Sequence, residues 1–438
     1  MTIVRKWIIG IATFLLCIYS FTVLSFQEMI PTLLRQTIVV ALPAILIMIS
    51  VAINLIEKPR IFIEIVPLSL ICMELIILLW NNHSIRTEGI TSVYSQVIPL
   101  LFFFACFRDT DWFPIVIKAM VVFGLIYAVG TYLSVYIPSL YTNTIAPLMK
   151  KLYPHIIYTQ GSVAGFTAHY STNGMYLANG FMALACVAWT RHNNGKRITL
   201  EIVLLVFVAI AFLICGKRGT LLCLIFGTYI AYFLLTKNPK HRILKMIAFT
   251  VALVVAIRLV ALVIPQVTAS YTRTVEMYYD SGDVTTGRLD LWRMAWQAFL
   301  QAPLFGHGWR WFLVFSDTGR DVHNCYLQLL TEVGIIGSIP FFIFFVLTYL
   351  RTLKLTFLWQ DNGLDQNTVA LKPNPVLFLL MYQSFFLLFI FEGTGLFNVE
   401  VLFPYIACCT MTHVLYQRHK KEMAAMNLYR RCIKACIG

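Results

Sequence analysis

Apolar runs of about twenty residues alternate with short polar clusters along almost the whole of this sequence, the spacing expected when lipid solvates most side chains. Runs at 7–26, 36–56, 61–80, 92–107, 112–137, 172–190, 200–215, 220–235, 243–264, 323–350, 375–391 and 396–416 read as membrane-spanning helices. The first follows Arg5 and Lys6, as a secretory leader would. It is nevertheless long enough to span, and no small-residue cleavage site follows, so an uncleaved span is expected. The pattern predicts an all-α polytopic membrane protein of about twelve transmembrane helices. Its segments are 1–264 with the first nine helices, 265–322 as an extracytoplasmic loop with an amphipathic helix, 323–416 with the last three helices, and 417–438 as a basic cytoplasmic tail.

Charge orients this arrangement. With the amino end in the cytoplasm, Lys58, Arg60, Arg191, Lys196, Arg197, Lys237, Lys240, Arg242, Lys245, Arg351, Lys354, Lys372 and the basic tail share one side. The balance is about 21 basic residues inside against about 11 outside, as the positive-inside rule requires. Both termini are therefore expected in the cytoplasm, with the long segments 138–171 and 265–322 outside. Long ordered loops tend to carry function. The second one holds an amphipathic stretch from Arg288 to Leu300, apolar enough to lie in the membrane interface.

Composition narrows the function classes. The chain has 438 residues, 59% of them hydrophobic and 12% charged, which leaves no room for a separate soluble domain. The net charge of +14 gathers at helix ends and forms no basic face interleaved with aromatics, so no nucleic-acid partner is expected. Cys17, Cys72, Cys106, Cys186, Cys215 and Cys223 lie within apolar runs and read as small buried hydrophobes, not a disulfide framework.

The outer basic residues are few and fall at expected helix N-termini. Lys217 and Arg218 begin the eighth span, Arg288 begins the loop helix, His323 and Asn324 begin the tenth span, and His169 and Tyr170 precede the sixth. Unpaired N–H groups and the helix dipole favour anions at such ends, and arginine offers a planar fork suited to phosphate. His323 is the candidate base, kept neutral by the helix dipole. Helical spacing puts Gly334 and Gly337 beneath it, where they would admit a neighbouring helix, and puts Glu332 on the opposite side in a structural hydrogen-bonding role. Arg258 and Glu74, inside apolar runs, need partners. His307, in Gly306-His307-Gly308-Trp309, reads as turn chemistry with an aromatic anchor. The outer segments carry neither a carboxylate pair nor a His/Asp grouping with ligand spacing, so no metal and no cofactor are expected.

These residues resemble a known family. The stretch from His323-Asn324 through Leu327 to Glu332-Val333-Gly334-Ile335-Ile336-Gly337 looks like the signature of the O-antigen ligase/polymerase superfamily. Thr286-Gly287-Arg288-Leu289-Asp290-Leu291-Trp292, followed by Ala302-Pro303-Leu304-Phe305-Gly306-His307-Gly308-Trp309, is similar to that family's long periplasmic loop, and Lys217-Arg218-Gly219-Thr220 resembles its upstream arginine motif. The resemblance implies a metal-independent GT-C type glycosyltransferase. Its donor partner would be a glycan on undecaprenyl diphosphate, its acceptor a lipid- or glycan-linked hydroxyl, and its site the outer face of the cytoplasmic membrane. Carried over, Arg218 and Arg288 would hold the diphosphate and His323 would activate the acceptor, with Lys217, Asn324, His169 and Tyr170 as substrate-binding candidates. The motifs do not separate ligases from polymerases or from protein O-oligosaccharyltransferases. A lipid-linked glycan transporter is the competing class, but it would tend to have related halves and charges at the midplane.

Overall fold

The structure is a computed structural model describing residues 2–22, 25–57, 64–80, 89–152, 162–236, 239–281, 285, 287–315, 319–361, 374–393, 396 and 398–437. Every regular element among these is helical. The first half contains α1 (Thr2–Thr22), α2 (Thr32–Glu57), α3 (Ile65–Leu79), α4 (Gly89–Cys106), α5 (Phe113–Tyr136) and a short irregular helix α6 over 138–152. Next come α7 (Tyr170–Asn193), α8 (Thr199–Cys215), α9 (Arg218–Leu235), α10 (Pro239–Val263) and α11 (Pro265–Ser281). The chain ends with α12 (Arg288–Gln301), α13 (Trp311–Phe315), α14 (Cys325–Gln360), α15 (Pro375–Glu392) and α16 (Val399–Ile437).

Eight of these helices are long and apolar enough to cross a membrane, and α3, α8 and the apolar part of α4 are shorter apolar helices. The chain is thus a multi-pass membrane protein. Its helices differ sharply in what covers them. The apolar window of α10 has no buried residue, so its side chains face outward as lipid-solvated ones do. By contrast, α7 is polar for a membrane helix and buried along nearly its whole length. Lipid cannot satisfy its polar groups, so neighbouring helices do. Tyr382 Oη donates to Asn179 Oδ1 at 3.1 Å, Asn179 Nδ2 donates to the Glu400 carbonyl at 3.0 Å, and Tyr176 Oη donates to the Ser20 carbonyl at 3.1 Å. Each such bond contributes roughly 1 kcal/mol inside a membrane bundle.

Small residues set the close approaches. A Cβ at Gly124 would lie 2.5 Å from the Cα of Gly180, so α5 and α7 cross in backbone contact. One at Gly227 would lie 2.9 Å from the Phe385 nitrogen, which fixes α9 against α15. These two run antiparallel, because Gly219 at the start of α9 meets Glu392 at the end of α15.

The tenth expected span needs correction. His323 does not open it: α14 begins at Cys325, with Asn324 as N-cap, and His323 precedes the cap at φ +55°. The helical-wheel relation between His323 and Gly334 therefore does not hold. Nor is α14 continuous, because Gly334 sits at φ 69°, ψ −175° and breaks it. A loop, not a helix, fills the break. The amides of His307 and Gly308 donate to the Thr331 and Glu332 carbonyls at 3.0 and 2.7 Å, while those of Ile335 and Ile336 donate to Pro303 and Leu304 carbonyls at 2.9 and 3.1 Å. The groups orphaned by the break are thereby satisfied. Only Gly at 306 and 334 lets the two backbones meet, since a Cβ on either would collide with the other strand.

Glu332 is fully buried; its carboxylate accepts from Gln328 Nε2 at 2.9 Å and from the Arg310 amide at 2.8 Å, a structural role. His307 Nε2 bonds the Ala298 carbonyl at 2.8 Å and its ring stacks on Trp311. Residues 282–284, 286 and 316–318 of the expected outer loop lie outside the described residues, as do 153–161 of the first outer segment. The last span runs on as helix through the expected tail to Ile437. Cys17, Cys106, Cys186, Cys215 and Cys223 are buried free thiols and Cys72 is half-buried. Oε1 of Glu74 is buried without a hydrogen-bond partner among the described residues.

Candidate functional site

Four helix ends build the site. Gly216, at φ +77°, caps α8 and turns the chain so that Lys217 becomes the N-cap of α9 and Arg218 its first residue. Gly287, at φ +81°, does the same before Arg288 at the start of α12. His169 caps α7 with its ring: Nδ1 accepts the Ser171 amide at 3.1 Å, which puts the ring proton on Nε2. Glu392 closes α15.

The carboxylate of Glu392 is where the cations meet. Arg288 Nη1 pairs with its Oε1 and donates to its backbone carbonyl at 3.2 Å, and Lys217 Nζ lies 3.8 Å from Oε1. Oε2 is buried with no hydrogen-bond partner among the described residues. Gly219 makes the seat, for a Cβ there would fall on the carboxylate. An anion thus sits over the first turn of α9, where unpaired amides and the helix dipole favour it. The lysine stem packs on Gly174 of α7, where a Cβ would lie 2.9 Å from its own Cβ.

His323 stands within the field of this cluster. Burial pushes its pKa down to about 4, Arg288 and Lys217 press it further the same way, and Glu392 partly opposes them. Desolvation is the leading cause, and it holds the ring neutral at pH 7. His169 is also pushed down to about 4, by burial first and then by Lys217. A non-glycine residue at φ +55° costs about 1–3 kcal/mol and persists only where its surroundings hold it, a condition common at functional sites.

The O-antigen ligase family profile matches residues 203–342. This segment is thus similar to the O-antigen ligase family. No curated protein matches the chain. Members of the family are glycosyltransferase-like enzymes, and the domain takes in Lys217, Arg218, Arg288, His323 and Asn324. His169, Tyr170 and Glu392 reach the same end of the bundle from outside it.

The structure brings together most of the residues singled out in the sequence. Lys217, Arg288 and His323 form one electrostatic cluster, and Lys217 links it to His169. Arg218 is half-buried in the first turn of α9 beside Lys217. Asn324 faces inward to its own helix: its Oδ1 accepts the Leu327 amide at 3.1 Å, so it acts as a cap. The Tyr170 ring lies tilted against His169 with centroids 4.5 Å apart, and its carbonyl accepts from Cys215 Sγ. Glu392 was missed. It had a signal, since a lone carboxylate between Phe391 and Gly393 at the end of an apolar run needs a cation to be stable there. Among the described residues, no group of three or more His, Cys, Asp or Glu could hold a metal ion.

Proposed function

We propose that this protein moves a glycan from undecaprenyl diphosphate to an acceptor hydroxyl at the outer face of the cytoplasmic membrane, in the manner of an O-antigen ligase. One observation carries the reading: Arg288, Lys217 and the α9 N-terminus already hold an anion beside a neutral imidazole. The bundle is of the GT-C type with about twelve spans and both termini in the cytoplasm, an orientation supported by the positive-inside balance.

In the reaction the acceptor oxygen attacks the anomeric carbon, its proton passes to His323, and the bond from that carbon to the diphosphate breaks. The electron pair leaves with the diphosphate, whose charge grows in the transition state. Arg288 and Arg218 stabilise it by bidentate hydrogen bonding and Lys217 by point charge. Here cationic side chains take the part that a divalent ion plays elsewhere. Without donor, Glu392 keeps the cations from repelling one another. The anionic donor also tunes the base, because its negative charge favours imidazolium and raises the His323 pKa from about 4 toward working pH. His169 and Tyr170 line the acceptor side.

The test is reconstitution with an undecaprenyl-diphosphate glycan and three separate acceptors: a lipopolysaccharide core, a second lipid-linked repeat unit, and a peptide. One glycan transferred whole to the core supports the ligase reading. A ladder of lengths would make it a polymerase, and a glycopeptide a protein O-oligosaccharyltransferase. Donor crossing the bilayer without any transfer would replace the enzyme with a transporter.

A further inference from the structure

The end of the bundle away from His323 holds a second, independent feature. A cavity of about 390 Å³ is lined by Arg5, Glu57, Glu64, Phe107, Arg108, His413, Val414, Gln417, Arg418 and Lys421. His413 lies fourteen residues along α16 from Val399, about 20 Å from the end that adjoins Glu392. Several of the polar groups around the cavity are already partnered. Arg5 Nη2 binds both oxygens of Asp109 at 3.1 and 2.8 Å, Arg108 pairs with Glu57 and donates to Asn54 Oδ1 at 3.0 Å, and Glu64 accepts from Gln417.

What remains is unmatched in one sense only. His413 is 1% exposed, and Arg351 Nη1 lies 3.0 Å from its Nδ1. A guanidinium only donates, so Nδ1 accepts and the ring proton is on Nε2. That Nε2–H is buried without a partner among the described residues, and so is the Nε–H of Arg5. Arg418 and Lys421 reach the same cavity and form no ion pair among the described residues. Two buried donors thus belong to residues that line the cavity, beside two cations without an ion pair among the described residues. An unmet buried donor costs about 1–3 kcal/mol, which a ligand that accepts would recover.

We infer that this cavity binds a phosphate group, whose oxygens accept from His413 Nε2–H and Arg5 Nε–H while Arg418 and Lys421 offset its charge. Glu57 does not bar this, because its charge is paired with Arg108 and Arg5, and the charge of Glu64 is offset by the field of Arg351. Two sources share the chemistry, an anionic phospholipid headgroup in the adjoining leaflet and a soluble phosphate.

Full-length protein in phosphatidylcholine nanodiscs, carrying Arg288→Gln to weaken the other anion site, tests the inference. Inorganic phosphate is titrated in one arm; in the other, phosphatidylglycerol replaces part of the lipid and retained molecules are counted by native mass spectrometry. We expect saturable binding of at least one probe. Arg418→Gln with Lys421→Gln, changes at the cavity rim, should weaken it about tenfold, and His413→Phe, which keeps the ring contact with Phe103, should do likewise. Phosphate binding alone identifies a soluble ligand, and phosphatidylglycerol retention alone a lipid headgroup. If neither probe binds, or if both sets of variants bind as the parent does, the inference is wrong.

Discussion

At the His323 end of the bundle the basic side chains surround a carboxylate, whereas at the Arg5 end they surround a cavity. Buried atoms without a hydrogen-bond partner among the described residues include Glu392 Oε2, Thr220 Oγ1 and Trp292 Nε1 at the first, and Arg5 Nε and His413 Nε2 at the second. The backbones differ too. The His323 end has positive-φ residues at 216, 287, 306, 323 and 334, His323 among them without being glycine, while the described residues around the Arg5 cavity are joined by ion pairs. His323, a non-glycine residue at positive φ, holds backbone strain of the kind that gathers at functional sites.

The largest effect should come from His323→Ala. Loss of a general base costs about 10²–10⁴-fold in turnover, read as glycan transferred per minute in proteoliposomes, with folding retained. Wild-type turnover would reduce the His323 end to another paired-charge layer. Next in size is Gly334→Ala. The substitution puts a Cβ at φ +69° against Leu304, so we expect about 3 kcal/mol lost and a local opening. Hydrogen exchange should quicken at the His307, Gly308, Ile335 and Ile336 amides while the Arg5 end stays protected; uniform quickening would mean that the two ends are one cooperative unit.

A smaller effect sharpens the electrostatics. In the free enzyme His323 is pushed down to about 4, so kcat/KM should fall only as the pH drops toward 4, where the ring gains its proton. Glu392 raises that pKa; Glu392→Gln should therefore move the acid limb to lower pH, and a shift to higher pH would contradict the assigned geometry. The smallest effect concerns backbone strain. His323→Gly should be about 1 kcal/mol more stable than His323→Ala in chemical unfolding, because glycine tolerates φ +55°.

Hydrophobic runs made the helices legible, since their length is set by the bilayer, and the positions of Lys217, Arg288 and His169 followed from helix ends that cap and punctuation residues announce. The break at Gly334 was not legible. A glycine in an apolar run permits close helix packing or a left-handed kink equally well, and only the partner loop 302–308, remote in sequence, decides between them. Glu392 escaped because a single carboxylate after a span looks like any loop charge until α9 is folded against α15. The polar character of α7 hid its central place for a similar reason, as hydropathy reports solvent preference and not which neighbours supply hydrogen bonds.

The central claim is that Arg288 and Lys217 receive the diphosphate while His323 serves only the proton. Equilibrium binding of undecaprenyl diphosphate to the wild type, to Arg288→Lys and to His323→Ala separates these roles. The account predicts about tenfold weaker binding for Arg288→Lys, since a point charge cannot replace the fork, and nearly unchanged binding for His323→Ala. Equal affinities in all three proteins, or a loss confined to His323→Ala, would contradict it.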